Sequence, residues 1–307
     1  MECIKPVRLQ AGDTVGVIAP ASPPKLETLE RGIQFLSQLG LHVAKGKHLL
    51  KVNGYLAGND AERLEDLHSM FLDESIKAVI CACGGYGTAR IADYVNYEII
   101  RNNPKIFWGY SDVTFLHSAI HQKTGLVTFH GPMLASDIGK VDVDIISKEG
   151  FSQLFHPAPI VYNEDKMPLE VLIQGKASGP ITGGNLSLLV SSLGTNFEID
   201  TNGKLFFIEE VNEEPRVIDR MLNQLFMTGK LQKASGLLFG QFSNCVPRSN
   251  PSLSTDEVIA HYVTLANRPA VKGLQIGHCN PHFAVPLGAQ AVLDTNKKKL
   301  IIESGVI

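Results

Sequence analysis

The sequence has few of the features that would place it in a membrane, in an oxidising compartment or on nucleic acid. No stretch approaches the roughly twenty apolar residues that a membrane-spanning helix needs, and the first residues contain no apolar run of signal-peptide length. The five cysteines are odd in number and scattered, which is typical of reduced thiols and not of a disulfide framework. The net charge is −3 without a long block of one sign. We therefore expect a cytoplasmic protein with no nucleic-acid partner and no membrane partner.

What the sequence does contain is the patterning of an α/β protein. Its 307 residues, 44% hydrophobic and 19% charged, are enough to build more than one core. In the first half, short apolar runs alternate with helical spacing, which predicts a parallel sheet flanked by helices. The second half carries more strand signals, which predicts a smaller, strand-rich α/β domain. We predict an N-terminal α/β domain over 1–150, a crossover linker over 151–179 and a C-terminal domain over 180–307.

Local patterns predict the individual elements. Asp60 to Leu72 has amphipathic helical spacing, with acidic side chains in the first turn, where the helix dipole favours them. Ligands of parallel sheets bind at the carboxyl ends of strands, so the residues that follow apolar runs are candidates for a site. The apolar runs predicted as strands with such residues after them are Thr14–Ala19, Lys77–Cys83, Lys105–Trp108, Leu205–Ile208 and Leu274–Ile276.

The first candidate is Ser111, in the segment Gly109–Asp112 (GYSD) between an apolar strand and a helix. A serine on such a turn exposes its hydroxyl, and the backbone amides beside a helix N-terminus stabilise an oxyanion. This is the arrangement of a nucleophile elbow, although Val113 stands where the usual hydrolase elbow has a glycine. The alternative is that Ser111 only caps the following helix.

The second candidate is the glycine loop Gly84–Gly87 (GGYG), which follows a buried strand. Glycines at this position let the backbone approach a ligand closely and permit a positive φ. The loop has neither the P-loop lysine nor the dinucleotide-binding spacing, so nucleotide binding is not predicted. One interpretation is an oxyanion-binding amide, from Gly85, and the other is a tight strand-to-helix turn.

Two further strand ends carry the residue types of a catalytic acid and a catalytic base. Glu209 follows Leu205–Ile208, and a carboxylate in that position can orient a histidine. His278 follows Leu274–Ile276, and histidine is the usual general base near neutral pH. Glu210 is expected to be a solvated acidic side chain.

A metal site is the alternative use of the histidines in this segment. His278, Cys279 and His282 have ligand-like spacing, but no second cluster of ligand-type residues completes such a site. We therefore expect no metal and no other cofactor. His130, in the segment FHGP, is expected to have a structural or surface role.

Eight short motifs, taken in order, resemble the LD-carboxypeptidase family, which includes murein tetrapeptide carboxypeptidases and microcin C immunity peptidases. The resemblance covers nearly the whole chain, and eight motifs in register are far more specific than any one of them. The motifs are VGVIAPAS (Val15–Ser22), GGYGTAR (Gly84–Arg90), GYSD (Gly109–Asp112), HGP (His130–Pro132), GGNL (Gly183–Leu186), IE (Ile208–Glu209), IDR (Ile218–Arg220) and GH (Gly277–His278).

The resemblance implies a serine peptidase without a metal, on a two-domain fold. It implies that Ser111 is the nucleophile, Glu209 the acid of the triad and His278 its base. The amides of Asp112 and of Gly85 resemble the oxyanion hole of the family. The serine would come from the N-terminal domain and the acid and base from the C-terminal domain, so the active site is expected in the cleft between them.

The acid has one alternative, because a slip of one residue in the alignment exchanges Glu209 with Glu210. The sequence also departs from the family pattern at Arg216, where a tyrosine is expected. Such a change would alter substrate contacts without affecting the triad.

The resemblance implies a small peptide substrate and a homodimer. The expected reaction is hydrolysis of the amide between an L-centre (diaminopimelate or lysine) and the terminal D-alanine of murein tetrapeptides, through an acyl-enzyme. The alternative substrate is an aminoacyl-nucleotide of the microcin C type, but the only tryptophan, Trp108, lies in the strand before the nucleophile, which favours the murein peptide. Two rival hypotheses are a binding protein without serine reactivity and a metallohydrolase that a chelator inhibits.

Overall fold

The chain folds into two compact units. The computed structural model describes residues 3–307. Unit 1 comprises the residues up to Ala158 together with Asn280–Gly288 and Ser304–Ile307. Unit 2 comprises Pro159–Cys279 and Ala289–Glu303.

The described residues form strands and helices in alternation through unit 1 and a denser run of strands in unit 2. The strands are β1 Thr14–Ile18, β2 His42–Lys45, β3 Ile76–Cys81, β4 Ile106–Gly109, β5 Thr128–His130, β6 Ile160–Tyr162, β7 Glu170–Ile173, β8 Lys176–Asn185, β9 Leu205–Val211, β10 Gly236–Ser243, β11 Ala270–Lys272, β12 Val285–Leu287, β13 Gln290–Asp294 and β14 Lys299–Ile302. The α-helices are α1 Leu26–Gln38, α2 Asp60–Leu72, α3 Thr88–Ala92, α4 Tyr97–Asn102, α5 Thr114–Thr124, α6 Ile145–Glu149, α7 Leu186–Ser191, α8 Pro215–Met227, α9 Lys230–Lys233 and α10 Thr255–Ala266.

Unit 1 is built on a six-stranded sheet in the order β12-β5-β4-β3-β1-β2. Strands β1 to β5 are parallel, whereas β12 pairs antiparallel with β5 at one edge. The central strands are apolar on both faces, as expected for a parallel sheet covered by helices. The core contains Phe71 from α2, Phe107 from β4 and Leu116 from α5.

Unit 2 is built on an eight-stranded sheet in the order β6-β14-β13-β8-β9-β10-β11-β7. Strands β8 to β11 are parallel, and the strands on either side of this block are antiparallel. Its core brings Phe206 of β9 and Leu237 of β10 together with Leu222 of α8 and Tyr262 of α10. The catalytic candidates of this unit lie at and beyond the carboxyl end of the parallel block.

Side-chain caps explain where the two best-defined helices begin. At the start of α2, the side chain of Asn59 accepts a hydrogen bond from the amide of Glu62, and the carboxylate of Glu62 accepts one from the amide of Asn59. Ser254 and Glu257 form the same reciprocal box before α10. These boxes satisfy backbone donors that a helix leaves without partners at its first turn.

The predicted fold class is confirmed, and the structure differs from the sequence-based assignment in three respects. The predicted strand Leu274–Ile276 is wrong: the strand is β11, and the segment after it is a loop. Gly273 has φ +91°, and a side chain there would lie 2.2 Å from the carbonyl oxygen of Pro168, so the extended chain ends at this glycine. The bounds of the units also differ from those predicted, because β12 pairs with β5 and returns Asn280–Gly288 to unit 1.

The third difference is the predicted linker, 151–179, which is not irregular: it contains a 3-10 turn and strands. Residues 151–154 belong to a short 3-10 turn of unit 1, and the chain from Ile160 onward supplies β6, β7 and the first part of β8. Among residues 3–307, no helix has the length and apolar character to cross a membrane.

Candidate active site

Ser111 lies on a strained turn of unit 1. Strand β4 ends at Gly109, and Ser111 opens a 3-10 turn that leads into α5. Its φ is +62°, in the left-handed region that non-glycine residues seldom occupy and that costs roughly 1–3 kcal/mol. Ser111 does not cap α5, because Val113 holds the capping position. The turn therefore has the geometry of a strained strand-to-helix elbow.

The strand end before Ser111 is fixed by two hydrogen bonds to one carbonyl. The oxygen of Gly109 accepts from the amide of Gly131 at 3.1 Å and from Nε2 of His117 at 2.8 Å. His117 is fully buried on α5, and its burial lowers its pKa to about 4. A neutral imidazole thus holds the backbone two residues before the serine.

The glycine loop lies directly against Ser111. A Cβ on Gly84 would lie 2.9 Å from Cβ and 3.0 Å from Oγ of Ser111, so only glycine allows this approach. Gly85 has φ +111°, and a side chain there would lie 2.2 Å from Oγ of Ser22. The amide of Ser22 donates to the carbonyl of Gly84 at 3.2 Å, and the hydroxyl of Ser22 accepts from the amide of Tyr86 at 3.2 Å. Ser22 therefore shapes this loop.

Asp112 connects the serine turn to the helix that follows the glycine loop. Its carboxylate accepts from the amide of Thr88 at 2.8 Å, and its backbone carbonyl accepts from the Thr88 hydroxyl at 2.5 Å. The side chain is buried, and this burial raises the pKa of Asp112. The predicted oxyanion residues, Gly85 and Asp112, thus belong to the two segments that surround Ser111.

Glu209 and His278 form a hydrogen-bonded pair within unit 2. Oε2 of Glu209 lies 2.8 Å from Nδ1 of His278. Because a carboxylate only accepts hydrogen bonds, Nδ1 carries a proton, and Nε2 is the basic atom of the ring when it is neutral. Glu209 is completely buried, and the His278 side chain is 20% exposed. A buried carboxylate that orients a partly exposed imidazole is an arrangement that the acid and base of catalytic triads also have.

Gly277 makes this pair sterically possible. Its φ is +108°, and a Cβ there would lie 2.5 Å from Oε2 of Glu209. A Cβ on Gly240 of β10 would likewise lie 3.1 Å from Cβ of Glu209. Glycines on two segments therefore leave the space that the glutamate fills.

The expectation that Glu210 is a solvated acid is wrong. Strand β9 continues to Val211, so Glu209 and Glu210 point to opposite faces of the sheet, and both are buried. The carboxylate of Glu210 accepts from Asn185 Nδ2 at 3.0 Å, from the Ser187 amide at 2.9 Å and from its own strand's Val211 amide at 2.8 Å. Burial raises the pKa of Glu210, and these donors oppose the shift. Glu210 joins β9 to the start of α7.

His282 lies in unit 1, whereas His278 belongs to unit 2. The His282 ring packs edge-on against Tyr110 at 4.5 Å and against His130 at 5.6 Å between ring centroids. Both histidines of this cluster are buried, so His130 has a core environment beside the residue that precedes Ser111. In the part of the chain that the structure describes, no three His, Cys, Asp or Glu side chains are grouped to hold a metal ion.

Sequence reasoning found the segments of the site but missed several residues that shape them. Ser22 and Thr88 lie within two of the motifs noted above, and His117 lies six residues after Ser111 in the following helix. A motif shows only that such residues lie near the predicted site residues in the sequence. Their hydrogen-bond roles depend on partners that are distant in sequence, such as Gly84 for Ser22 and Asp112 for Thr88.

A strained serine turn and a buried Glu–His pair are the parts of a serine hydrolase, and sequence comparison identifies the class. Residues 15–131 match the LD-carboxypeptidase N-terminal domain, and residues 178–293 match the LD-carboxypeptidase C-terminal domain. The chain belongs to the LD-carboxypeptidase family of hydrolases. The family that the eight motifs indicated is thereby confirmed.

Individual relatives are similar over almost their full lengths. A probable murein peptide carboxypeptidase from Bacillus subtilis is 57% identical over 303 residues, which cover 98% of this chain and 95% of the relative. A microcin self-immunity protein from Escherichia coli is 27% identical, covering 96% of this chain and 94% of the relative. The crystal structure of a muramoyltetrapeptide carboxypeptidase from Oxalobacter formigenes has a TM-score of 0.85 at 27% identity, covering 96% of this chain and all of the other.

Proposed function

We propose that the protein is a serine LD-carboxypeptidase that removes the terminal D-alanine from murein tetrapeptides. The observation that carries the proposal is the Glu209–His278 hydrogen bond, because a buried carboxylate on a partly exposed imidazole prepares a general base. Ser111 on its strained turn is the proposed nucleophile. The relative that is 57% identical is named for murein peptide, which supports this substrate class.

The proposed mechanism uses side chains and backbone of this chain alone. His278 takes the proton of the Ser111 hydroxyl through Nε2, and Ser111 attacks the carbonyl carbon of the scissile amide. The amides of Asp112 and Gly85 hold the negative oxygen of the tetrahedral intermediate. Glu209 keeps the histidine in the required tautomer and stabilises its protonated form.

Collapse of the intermediate expels the amine of D-alanine, which takes the proton from His278. The acyl group then remains on Ser111. His278 next deprotonates a water molecule, whose oxygen attacks the acyl-enzyme and releases the shortened peptide and the serine hydroxyl. We place this reaction in the cytoplasm, in the recycling of peptidoglycan fragments, and we expect the enzyme to be a homodimer.

The test is release of D-alanine from L-Ala-γ-D-Glu-meso-diaminopimelyl-D-Ala by the wild type and by Ser111→Ala, each with and without EDTA. We expect release by the wild type to be insensitive to EDTA and to fall by at least about 10³-fold in Ser111→Ala. Ser37→Ala, which removes an exposed hydroxyl on α1, is the matched control and should keep full activity.

The same preparations should also be tested on an aminoacyl-nucleotide amide. The similarity to the microcin self-immunity protein makes this the second candidate substrate. A folded wild type that cleaves the nucleotide but not the tetrapeptide would replace the murein proposal. Inhibition by EDTA would instead favour the metallohydrolase alternative.

A further inference from the structure

Two exposed tyrosines lie beside the glycine loop of unit 1. Tyr55 is 64% exposed and Tyr86 is 54% exposed, and their rings meet edge to face at 5.4 Å between centroids. The Ser22 hydroxyl joins their backbones, since it donates to the carbonyl of Tyr55 at 2.7 Å and accepts from the amide of Tyr86. Large aromatic side chains held in a fixed, exposed position are typical of a binding surface.

Two arginines that share one carboxylate lie beside the glycine loop. Asp60 accepts from Arg90 Nη2 at 2.9 Å and also from Arg63, so one carboxylate serves two guanidinium groups. Arg90 also donates from Nε to Asp60 at 3.2 Å, and its hydrogen bonds lower the pKa of Asp60, so Asp60 is ionised. Asp60 therefore pairs with both guanidinium groups, and the buried Arg63 also lies within electrostatic reach of the Asp112 carboxylate.

Of the two arginines, only Arg90 is accessible to a ligand. The Arg63 side chain is fully buried, and it donates to the carbonyls of Pro20 and Gly87. The Arg90 side chain is 46% exposed, and both tyrosines are close enough to act on its charge electrostatically. Arg90 is therefore the guanidinium group that this surface presents to solvent.

This surface is tied to the nucleophile turn by short connections. Gly84, at the start of the glycine loop, packs against Ser111. Thr88, at its end, is bonded twice to Asp112. Arg90 follows two residues later in α3. A group bound at Arg90 would thus be held by the same segments that surround the serine hydroxyl.

We propose that Arg90, flanked by Tyr55 and Tyr86, binds the carboxylate of the terminal residue of the peptide substrate. A guanidinium group pairs with a carboxylate through two parallel hydrogen bonds, and the rings would cover the aliphatic part of that residue. The inference rests on the proposed function, because a carboxypeptidase must distinguish a free chain end from an internal residue. It assigns recognition of the free chain end to Arg90, the last residue of the motif GGYGTAR.

The test measures binding in the Ser111→Ala background, where no turnover occurs. Isothermal titration calorimetry gives Kd for the tetrapeptide with a free terminal carboxylate and for the same peptide as a terminal amide. We expect the free acid to bind roughly 10- to 100-fold more tightly than the amide, the range for a hydrogen-bonded charged pair. Adding Arg90→Gln should weaken binding of the free acid to the level of the amide. Arg90→Lys should keep part of the preference for the free acid over the amide.

Arg101→Gln is the matched control, because Arg101 is an exposed arginine of the neighbouring α4 that donates to the carbonyl of Lys123. It should leave the acid-to-amide ratio unchanged. The proposal is overturned if the ratio persists in Arg90→Gln, or if Ser111→Ala alone binds acid and amide equally. Such a result, with D-alanine release by the wild type intact, would leave the proposed function standing. Absence of release would remove the proposed function itself.

Discussion

The serine turn at Ser111 and the Glu209–His278 pair are held in place by different physical means. Around Ser111, the backbone does most of the positioning: a left-handed φ, a glycine at contact distance and a carbonyl held from two sides. Around His278, a side chain does the positioning. The fully buried carboxylate of Glu209 contacts the imidazole in the space that Gly277 leaves open. The first arrangement stores strain and the second buries charge, so substitutions should affect activity and stability differently in the two units.

The largest effect that tests this comparison is expected for Glu209→Gln. The amide keeps the size of the glutamate but cannot stabilise a protonated histidine, so kcat should fall by roughly 10²–10⁴-fold. Because a neutral amide is less costly to bury than a carboxylate, the melting temperature should stay the same or rise. Kinetics with the tetrapeptide and a thermal melt measure the two effects.

Glu210→Gln is the matched control and should give the opposite pattern. Its carboxylate accepts from amides on three residues, and a glutamine would present a donor to at least one of them. We expect a lower melting temperature and a kcat within a few-fold of the wild type. If Glu210→Gln lost activity and Glu209→Gln kept it, the two acids would exchange roles.

The glycines should come next in effect. Gly277→Ala would place a Cβ 2.5 Å from Oε2 of Glu209, and Gly84→Ala would place one 2.9 Å from Cβ of Ser111. Displacement of a reacting group by about 1 Å can lower a rate by about 10²-fold, and we expect that scale in kcat for both variants. Single-turnover kinetics would measure the chemical step directly.

Gly194→Ala separates the effect of backbone strain from the effect of a steric clash. Gly194 has φ +76°, but no atom lies within 4 Å of the added carbon. This variant should lose about 1 kcal/mol of stability and no activity. An equal loss of kcat in Gly194→Ala and Gly277→Ala would mean that strain alone explains the effect, and the steric argument for the Glu–His pair would be lost.

The effect expected at His117 is on stability and depends on pH. The pKa of His117 is about 4 in the folded protein, below its ordinary value of 6.5, so the folded state resists a proton that the unfolded state accepts. Its stability contribution is complete above pH 6.5 and is lost as the pH falls towards 4, by roughly 3 kcal/mol. His117→Gln removes this titration, so its unfolding midpoint should fall less between pH 7 and pH 4.5.

The same position tests the backbone argument for Ser111. Glutamine can still donate to the carbonyl of Gly109, so His117→Gln should keep kcat within a few-fold, whereas His117→Leu cannot donate and should lose roughly tenfold. Equal activity of the two variants would show that this hydrogen bond does not position the nucleophile.

The features that could be predicted from the sequence are those that depend on local sequence pattern. The bounds of α2 were predicted to the residue, because its amphipathic spacing and acidic first turn are local. The serine turn was predicted from a strand, a glycine and a helix in succession. The burial of Glu210 was not predictable, because it depends on Asn185 and Ser187, which belong to a different strand and helix. The pairing of β12 with β5 was missed for the same reason: each is three residues long and carries no periodicity.

That edge pairing has a consequence for how the protein is made. During synthesis, all of Pro159–Cys279 leaves the ribosome between the main part of unit 1 and Val285–Leu287, the strand that completes its sheet. Until then, Thr128–His130 is an open sheet edge that can pair with another chain. Unit 1 therefore completes its sheet only after the larger segment of unit 2 has been translated, and a fragment cut at Ala158 should be prone to aggregation.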